Sequence, residues 1–251
     1  MTESFIVVIP ARYASTRLPG KPLADIAGRP MIEWVYRQAR ASGASEVIVA
    51  TDDERIAAAC RGFGAAVELT ATEHPSGTDR IAELARRFAW PDSQIVVNVQ
   101  GDEPLLPPAA IAQTARLLAA HPDAAVATLM TPLASNEELH DPNFAKVVTD
   151  RDGWALYFSR APIPWPRDGG AVRARRHVGL YAYRAASLRQ IAAAPACPLE
   201  EAERLEQLRA LWLGLRIIVA ESVAPPSPHV DTEQDLRKIR ELLEKGLRPP
   251  T

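Results

Sequence analysis

Short runs of aliphatic residues, almost unbroken by polar side chains, recur through the first half of this chain. Phe5-Ile-Val-Val-Ile9 is the first, ended by Pro10. Glu46-Val-Ile-Val-Ala-Thr51 and Gln94-Ile-Val-Val-Asn-Val99 follow. A strand with one wet face alternates polar and apolar residues, whereas a near-continuous apolar run belongs to a strand covered on both faces. Shorter runs at 66–69 and 125–129 add a third and a fifth strand, in chain order. Between the runs lie segments of helical length at 31–42, 52–61, 78–88 and 107–121. Gly43, Gly62 and Gly64 supply stop signals, Asp52 a cap, and Pro107-Pro108 a start. This rhythm predicts an α/β fold, Rossmann-like, with a mostly parallel sheet, helices on both faces and right-handed crossovers. Ligands of such sheets bind beyond the carboxyl ends of the strands. Pro10-Ala-Arg12, Asp52-Asp53 and Gln100-Gly-Asp102 therefore come first in a search for a site.

The second half is less regular. Residues 146–149 and 154–159 read as paired strands around the turn Asp150-Arg-Asp-Gly153. A strand at 178–183, a helix at 200–213, a strand at 217–221 and a final helix at 232–245 follow. Residues 11–30 read as a loop. So does 160–176, with Arg167, Arg173, Arg175 and Arg176, as a mobile loop or part of a subunit contact.

Composition removes several function classes. Lys+Arg is 29 and Asp+Glu 31, a net charge of −2, which does not suit a general nucleic-acid binder. No apolar run approaches the ~20 residues of a membrane span. Cys60 and Cys197 form no disulfide framework and no metal-type spacing. They read as small buried apolar side chains. The N-terminus shows no basic region followed by an apolar stretch, so the expectation is a cytoplasmic chain without a signal peptide. Proline, 22 of the 251 residues, is in excess over the usual ~5%. Many of these prolines fall in the loops singled out below, where they stiffen the chain.

The segment Pro10-Ala-Arg-Tyr-Ala-Ser-Thr-Arg-Leu-Pro-Gly-Lys-Pro22 gathers Arg12, Arg17 and Lys21 at the end of the first strand. Clustered cations and exposed backbone N–H groups answer the charge of a nucleoside triphosphate. The segment lacks the G-x-x-x-x-G-K-[ST] spacing of a P-loop, and there is no G-x-G-x-x-G dinucleotide turn. Ser76-Gly-Thr-Asp-Arg80 opens a helix, where free N–H groups and hydroxyls suit a base or phosphate or serve as plain caps. In Gln100-Gly-Asp-Glu-Pro104, Asp102 can hold Mg²⁺ through oxygen, and Gln100 offers an amide. Asp231 reads as a second metal carboxylate or as a helix cap. His177 and Tyr181, four apart on a strand, face the same way. Glu206-Gln207 reads as a helix surface unless something else claims it.

Six motifs occur in order: 10–23, Ser-Gly-Thr-Asp-Arg (76–80), Val-Asn-Val-Gln-Gly-Asp-Glu-Pro (97–104), Ala-Leu-Tyr-Phe-Ser-Arg-Ala-Pro-Ile-Pro-Trp (155–165), His-Val-Gly-Leu-Tyr (177–181) and Leu-Glu-Gln-Leu-Arg (205–209). Together they resemble the 3-deoxy-manno-octulosonate (Kdo) cytidylyltransferase family from Phe5 to about Leu236. The stretch from Trp165 to His177 is a few residues shorter than the family pattern.

The resemblance implies a nucleotide-diphospho-sugar transferase fold and one nucleotidyltransferase domain over 1–251. Residues 131–184 would form a smaller part that serves the sugar site and the dimer contact. It implies CTP and Kdo as substrates, Mg²⁺ as cofactor, a homodimer and a place in lipopolysaccharide biosynthesis. Carried over by position, Lys21, Arg12 and Asp102 would be catalytic. Pro10, Ala11, Arg12, Arg17, Lys21, Ser76, Gly77, Thr78, Arg80 and Gln100 would hold the nucleotide. Gln100, Arg160, His177, Tyr181, Glu206 and Gln207 would hold the sugar. Asp102 and Asp231 would ligate the metal. A rival substrate, sialic acid or an 8-amino relative of Kdo, stays open at this stage.

Overall fold

In a computed structural model, described over residues 4–14, 18–168 and 173–245, the chain forms a three-layer α/β/α sandwich. The strands are β1 (Phe5–Ala11), β2 (Asp25–Ile26), β3 (Arg29–Pro30), β4 (Glu46–Thr51), β5 (Ala66–Leu69), β6 (Ile95–Asn98), β7 (Val126–Pro132), β8 (Lys146–Thr149), β9 (Ala155–Ser159), β10 (Arg175–Arg184) and β11 (Ile217–Glu221). The helices are α1 (Met31–Ala41), α2 (Glu54–Gly62), α3 (Gly77–Arg87), α4 (Pro108–Ala120), α5 (Asn136–His140), α6 (Ala185–Ala193), α7 (Pro198–Glu203), α8 (Gln207–Trp212) and α9 (Glu233–Glu244).

The central sheet runs β11-β7-β10-β6-β1-β4-β5, with β8 and β9 attached beside β10. Pairs β1–β4, β1–β6, β4–β5 and β7–β11 are parallel. β10 is antiparallel to all three strands it pairs with, β6, β7 and β8. The sheet is thus mostly parallel, as the apolar runs predict. The carboxyl ends of β1, β4 and β6 open on one edge, so the loops at Arg12, Asp52 and Gln100–Asp102 meet there.

Alternation along β1 divides the core. Phe5, Val7, Ile9 and Ala11 pack with Ile32 and Val35 of α1, Ile56 of α2 and Ile111 and Leu118 of α4. Ile6 and Val8 pack on the opposite face with Ile81 and Leu84 of α3, Leu188 of α6 and Leu208 of α8. A run apolar at every position is what two covered faces require. A third, smaller cluster joins Ile26, Met31, Val230, Leu236 and Ile239, holding α9 against the β2–β3 hairpin.

Several sequence expectations change. The 11–30 loop contains a 3-10 turn at Lys21–Leu23 and the β2–β3 hairpin. Asp53, not Asp52, caps α2, its carboxylate accepting the Arg55 N–H. The expected helix over 200–213 is two helices, because Arg204 takes a left-handed conformation (φ 54°, ψ 46°) and ends α7. Thr232, not Asp231, caps α9. Helices α5 and α6 add two elements to those expected from the sequence. The 131–184 stretch leaves the central sheet after β7 and returns to it as β10, with β8 and β9 as a hairpin between. Cys60 and Cys197 are both free and buried, as read from the sequence. Among the described residues no helix is long and apolar enough to cross a membrane.

Phe158 of β9 is fully buried among these layers. Phe158→Ala should cost about 3–5 kcal/mol, the usual loss for emptying a buried aromatic site. Urea unfolding followed by circular dichroism measures it; a loss under about 1 kcal/mol would mean the site collapses without consequence.

Candidate active site

A cleft of about 420 Å³ opens at the carboxyl edge of β1 and β6, lined by Pro10, Ala11, Arg12, Lys21, Ser76, Gly77, Arg80, Gln100, Asp102 and Asp231. That volume falls within the usual range for small-molecule sites. Backbone shape makes the cleft. A Cβ built on Gly101 would lie 2.9 Å from the Pro10 carbonyl oxygen, and one on Gly77 3.0 Å from the Pro10 ring. Glycine at both points lets the three loops approach. The loop after β1 is closed by the Gly20 N–H donating to the Tyr13 carbonyl at 3.1 Å. Gly20 has φ 69°, a value that suits glycine. Lys21 follows directly and is aimed back at the strand ends.

Lys21 is the electrostatic centre of this edge. Its Nζ lies 2.7 Å from Asp102 Oδ2 and 3.3 Å from Asp231 Oδ1, and donates to the Val230 carbonyl at 2.9 Å. Two carboxylates remote in sequence thus face one ammonium. Hard oxygen donors already gathered around a positive charge fit a Mg²⁺ ion, which is bound by one or two carboxylates together with substrate phosphates. Among the described residues no group of three or more His, Cys, Asp or Glu side chains forms a complete protein cage. Arg12 is exposed on the cleft wall. Arg17 lies outside the described residues.

The α3 N-terminus forms the opposite wall. Ser76 caps it, its Oγ accepting the Asp79 N–H at 3.3 Å. Arg80 is buried, and its guanidinium donates to Asp52 Oδ2 at 2.7 Å, to the Ala71 carbonyl at 3.3 Å and to Thr70 Oγ1. It ties together the loops that follow β4 and β5. His74, absent from the sequence reading, also lines this cleft, with Nε2 2.6 Å from Glu83 Oε2.

A second cleft, also about 420 Å³, adjoins the first through Gln100, Asp102 and Asp231. Arg160, His177 and Tyr181 lie on it, so three residues from separate motifs come together. So do Glu103, Asn143, Phe144 and Arg176, which the motif reading did not assign. Burial and the neighbouring Asp102 push the Glu103 carboxyl up to about 8, against the pull of Arg176. The Arg176 guanidinium stacks on Phe144, 4.1 Å from the ring centre. Arg160 donates through Nε to the Glu203 carbonyl at 2.7 Å and through Nη1 to the Pro142 carbonyl at 2.7 Å.

Glu206 and Gln207 lie elsewhere. Glu206 Oε2 accepts from Thr78 Oγ1 at 2.9 Å, linking α8 to α3. Gln207 is buried, its Nε2 without a hydrogen-bond partner among the described residues, beside Thr78 and Tyr183. Neither residue lines the second cleft.

His177 and Tyr181 stay on one face although β10 carries a bulge between Val178 and Tyr181; their ring centres are 5.3 Å apart. Thr128 Oγ1 lies 2.9 Å from His177 Nε2 and within 3.0 Å of the Val178 and Leu180 carbonyls. The hydroxyl has one proton, which a carbonyl takes, so it accepts from the imidazole. His177 is therefore assigned as the Nε2–H tautomer, leaving Nδ1 as an acceptor.

The family model for cytidylyltransferases matches residues 6–217. A 3-deoxy-manno-octulosonate cytidylyltransferase of Pseudomonas fluorescens is 55% identical over 97% of this chain and 100% of that protein. One of Halorhodospira halophila is also 55% identical, over 97% of this chain and 98% of its own. The chain belongs to the 3-deoxy-manno-octulosonate cytidylyltransferase family. A solved structure of CMP:2-keto-3-deoxy-manno-octonic acid synthetase complexed with CTP superposes with a TM-score of 0.91 at 42% identity, covering 97% of this chain and 100% of that one. The family membership and this likeness agree with the nucleotidyltransferase fold expected from the motifs.

Burial lowers the His177 pKa from 6.5 to about 3. The unfolded chain then binds the extra proton between those values. The stability this residue contributes is whole above pH 6.5 and is lost as pH falls toward 3. The melting-temperature gap between wild type and His177→Gln should narrow over that interval. A gap independent of pH would show that His177 is not held neutral.

Proposed function

We propose that the protein transfers CMP from CTP to the anomeric hydroxyl of Kdo, releasing pyrophosphate and giving CMP-Kdo for lipopolysaccharide synthesis. The observation that carries this reading is the pair of adjoining clefts that share Gln100, Asp102 and Asp231. A nucleotide in the first and a sugar acid in the second would meet over the carboxylates. The high identity to Kdo cytidylyltransferases over nearly the whole chain supports the choice of substrates.

The first cleft takes CTP. Arg12 and Lys21 neutralise the triphosphate, with Arg17 assisting. The Ser76–Gly77 turn brings backbone N–H groups to the nucleotide, Thr78 supports that turn from behind with its hydroxyl on Glu206 in place of the direct contact expected from the motifs, and Arg80 holds the wall in place. The second cleft takes Kdo. Its carboxylate suits a guanidinium such as that of Arg160, and its hydroxyls suit Gln100, Tyr181 and His177, whose free Nδ1 accepts a hydroxyl proton. Glu206 instead braces the α3 wall through Thr78, and neither Glu206 nor Gln207 takes the direct sugar contact that the resemblance implies.

The reaction is in-line attack of the sugar hydroxyl on the α-phosphorus, with pyrophosphate leaving. Asp102 and Asp231 would hold Mg²⁺, which when bound supplies Lewis-acid neutralisation of charge on the phosphate. Lys21 sits where it can add a positive charge to the leaving side, and both clefts contribute by holding the two reactants together. The smaller part, about 131–184, supplies the contact of a homodimer.

Pyrophosphate release decides the reading. CTP with Kdo and Mg²⁺ should turn over, and UTP, sialic acid or the 8-amino sugar should do so poorly; no release from CTP with Kdo would sink it. Asp102→Asn should abolish product while keeping the native circular dichroism. Lys21→Ala should lose about 10²-fold or more in kcat. Lys238→Ala, on the exposed face of α9, should lose none. Equal turnover in the Lys21 and Lys238 variants would remove Lys21 from the chemistry.

A further inference from the structure

Below the second cleft lies a cation that no motif singled out. Lys146, at the start of β8, is fully buried. Its ammonium donates to the carbonyls of Asp141 at 3.1 Å, Phe144 at 2.7 Å and Arg160 at 2.6 Å. An ammonium has three protons, and three carbonyls take them. Its partners are backbone dipoles, not a carboxylate side chain. Burying a charge is costly, so an apolar side chain would fill this space at less expense if filling were the only need.

The three carbonyls belong to two segments that wall the second cleft. Asp141 and Phe144 bracket the turn carrying Asn143 and Phe144, and the Arg160 carbonyl belongs to the residue whose guanidinium reaches the same turn at Pro142. Lys146 and Arg160 therefore clasp one loop from two sides. Arg160 is further held by Glu203, whose carboxylate accepts its backbone N–H at 2.9 Å and whose carbonyl accepts its Nε. Without the Lys146 ammonium, three carbonyls would face one another with no donor between them. The turn at 141–144 and the main chain of Arg160 would then move apart.

We infer that Lys146 is a positioning residue for the sugar-acid site: it fixes Arg160 and the 143–145 wall, and so sets affinity for the acidic sugar and not for the nucleotide. The inference rests on the reading of the second cleft as the sugar site. Lys146 lines neither cleft. Its loss should therefore raise the KM of one substrate alone.

The test is steady-state kinetics on Lys146→Met and Lys146→Gln, with CTP and Kdo varied in turn. Lys146→Met should raise the KM for Kdo by about tenfold to a hundredfold, with the KM for CTP and kcat within about threefold of wild type. Lys146→Gln keeps two amide donors and should recover part of the Kdo KM, which simple loss of packing would not predict. If Lys146→Met does not fold, Lys146→Gln carries the same comparison. Parallel rises in both KM values, an unchanged Kdo KM, or failure of both variants to fold would overturn the inference. The last result would make Lys146 a residue of the fold as a whole. Wild type run alongside separates the two ideas: if it fails to turn over CTP with Kdo, the functional reading falls, whatever the variants do.

Discussion

Two carboxylates and one ammonium hold the working edge of this molecule together. Asp102 follows β6, Asp231 precedes α9, and Lys21 comes from the turn after β1. Left alone, two carboxylates in one small space would repel each other. Lys21 offsets that repulsion and in doing so connects three distant parts of the chain. The backbone reinforces it: the Val230 N–H donates to the Asp102 carbonyl at 2.9 Å while the Val230 side chain enters the cluster with Ile26 and Met31. The C-terminal helix, the β2–β3 hairpin and the loop after β1 therefore share one anchor. An edge built on that anchor holds its charged groups in place before any ligand arrives, which lowers the reorganisation required on binding.

The second cleft uses a different physical device. Its walls are held by cations that collect backbone carbonyls. The break between α7 and α8 leaves the carbonyls of Glu203 and Arg204 outside a continuing helix, and Arg160 donates to both. Glu203 in turn accepts from Ser159 Oγ at 2.6 Å. Charge–dipole bonds of this kind fix main chain directly and are less open to salt screening when buried. A loop held in this way costs less to order when a polar ligand enters.

Much of the scaffold was legible because burial on both faces leaves an unambiguous mark. β4 begins and ends where its apolar run does, and β5, β8 and β11, only partly covered, keep the bounds expected from the sequence. Turn chemistry served as well, with Asp150-Arg-Asp-Gly153 joining β8 and β9. What failed was local in appearance and non-local in cause. Asp52 and Asp53 are equally good caps by sequence, but buried Arg80 claims Asp52 and leaves Asp53 for α2. Helical periodicity continues through 200–213, yet Arg204 turns left-handed and ends α7, and Leu205 and Leu208 beyond it join the core on that side of the sheet. Asp231 looks like a cap, but Thr232 forms a reciprocal capping box with Asp235 and releases Asp231 toward Lys21.

The same division holds for the site. By itself the sequence determined the layered α/β fold, the edge on which the motif loops meet, and the family, because strand burial and six ordered motifs are properties of residue order. Tertiary structure alone decided that Lys21 lies between Asp102 and Asp231. It also decided that Glu206 and Gln207 do not line the cleft shared by Arg160, His177 and Tyr181, and that Lys146 lies beneath it. The Lys21 contacts span 81 and 210 residues. They depend on how the sheet brings its loops to one edge, and no local pattern of side chains encodes that distance.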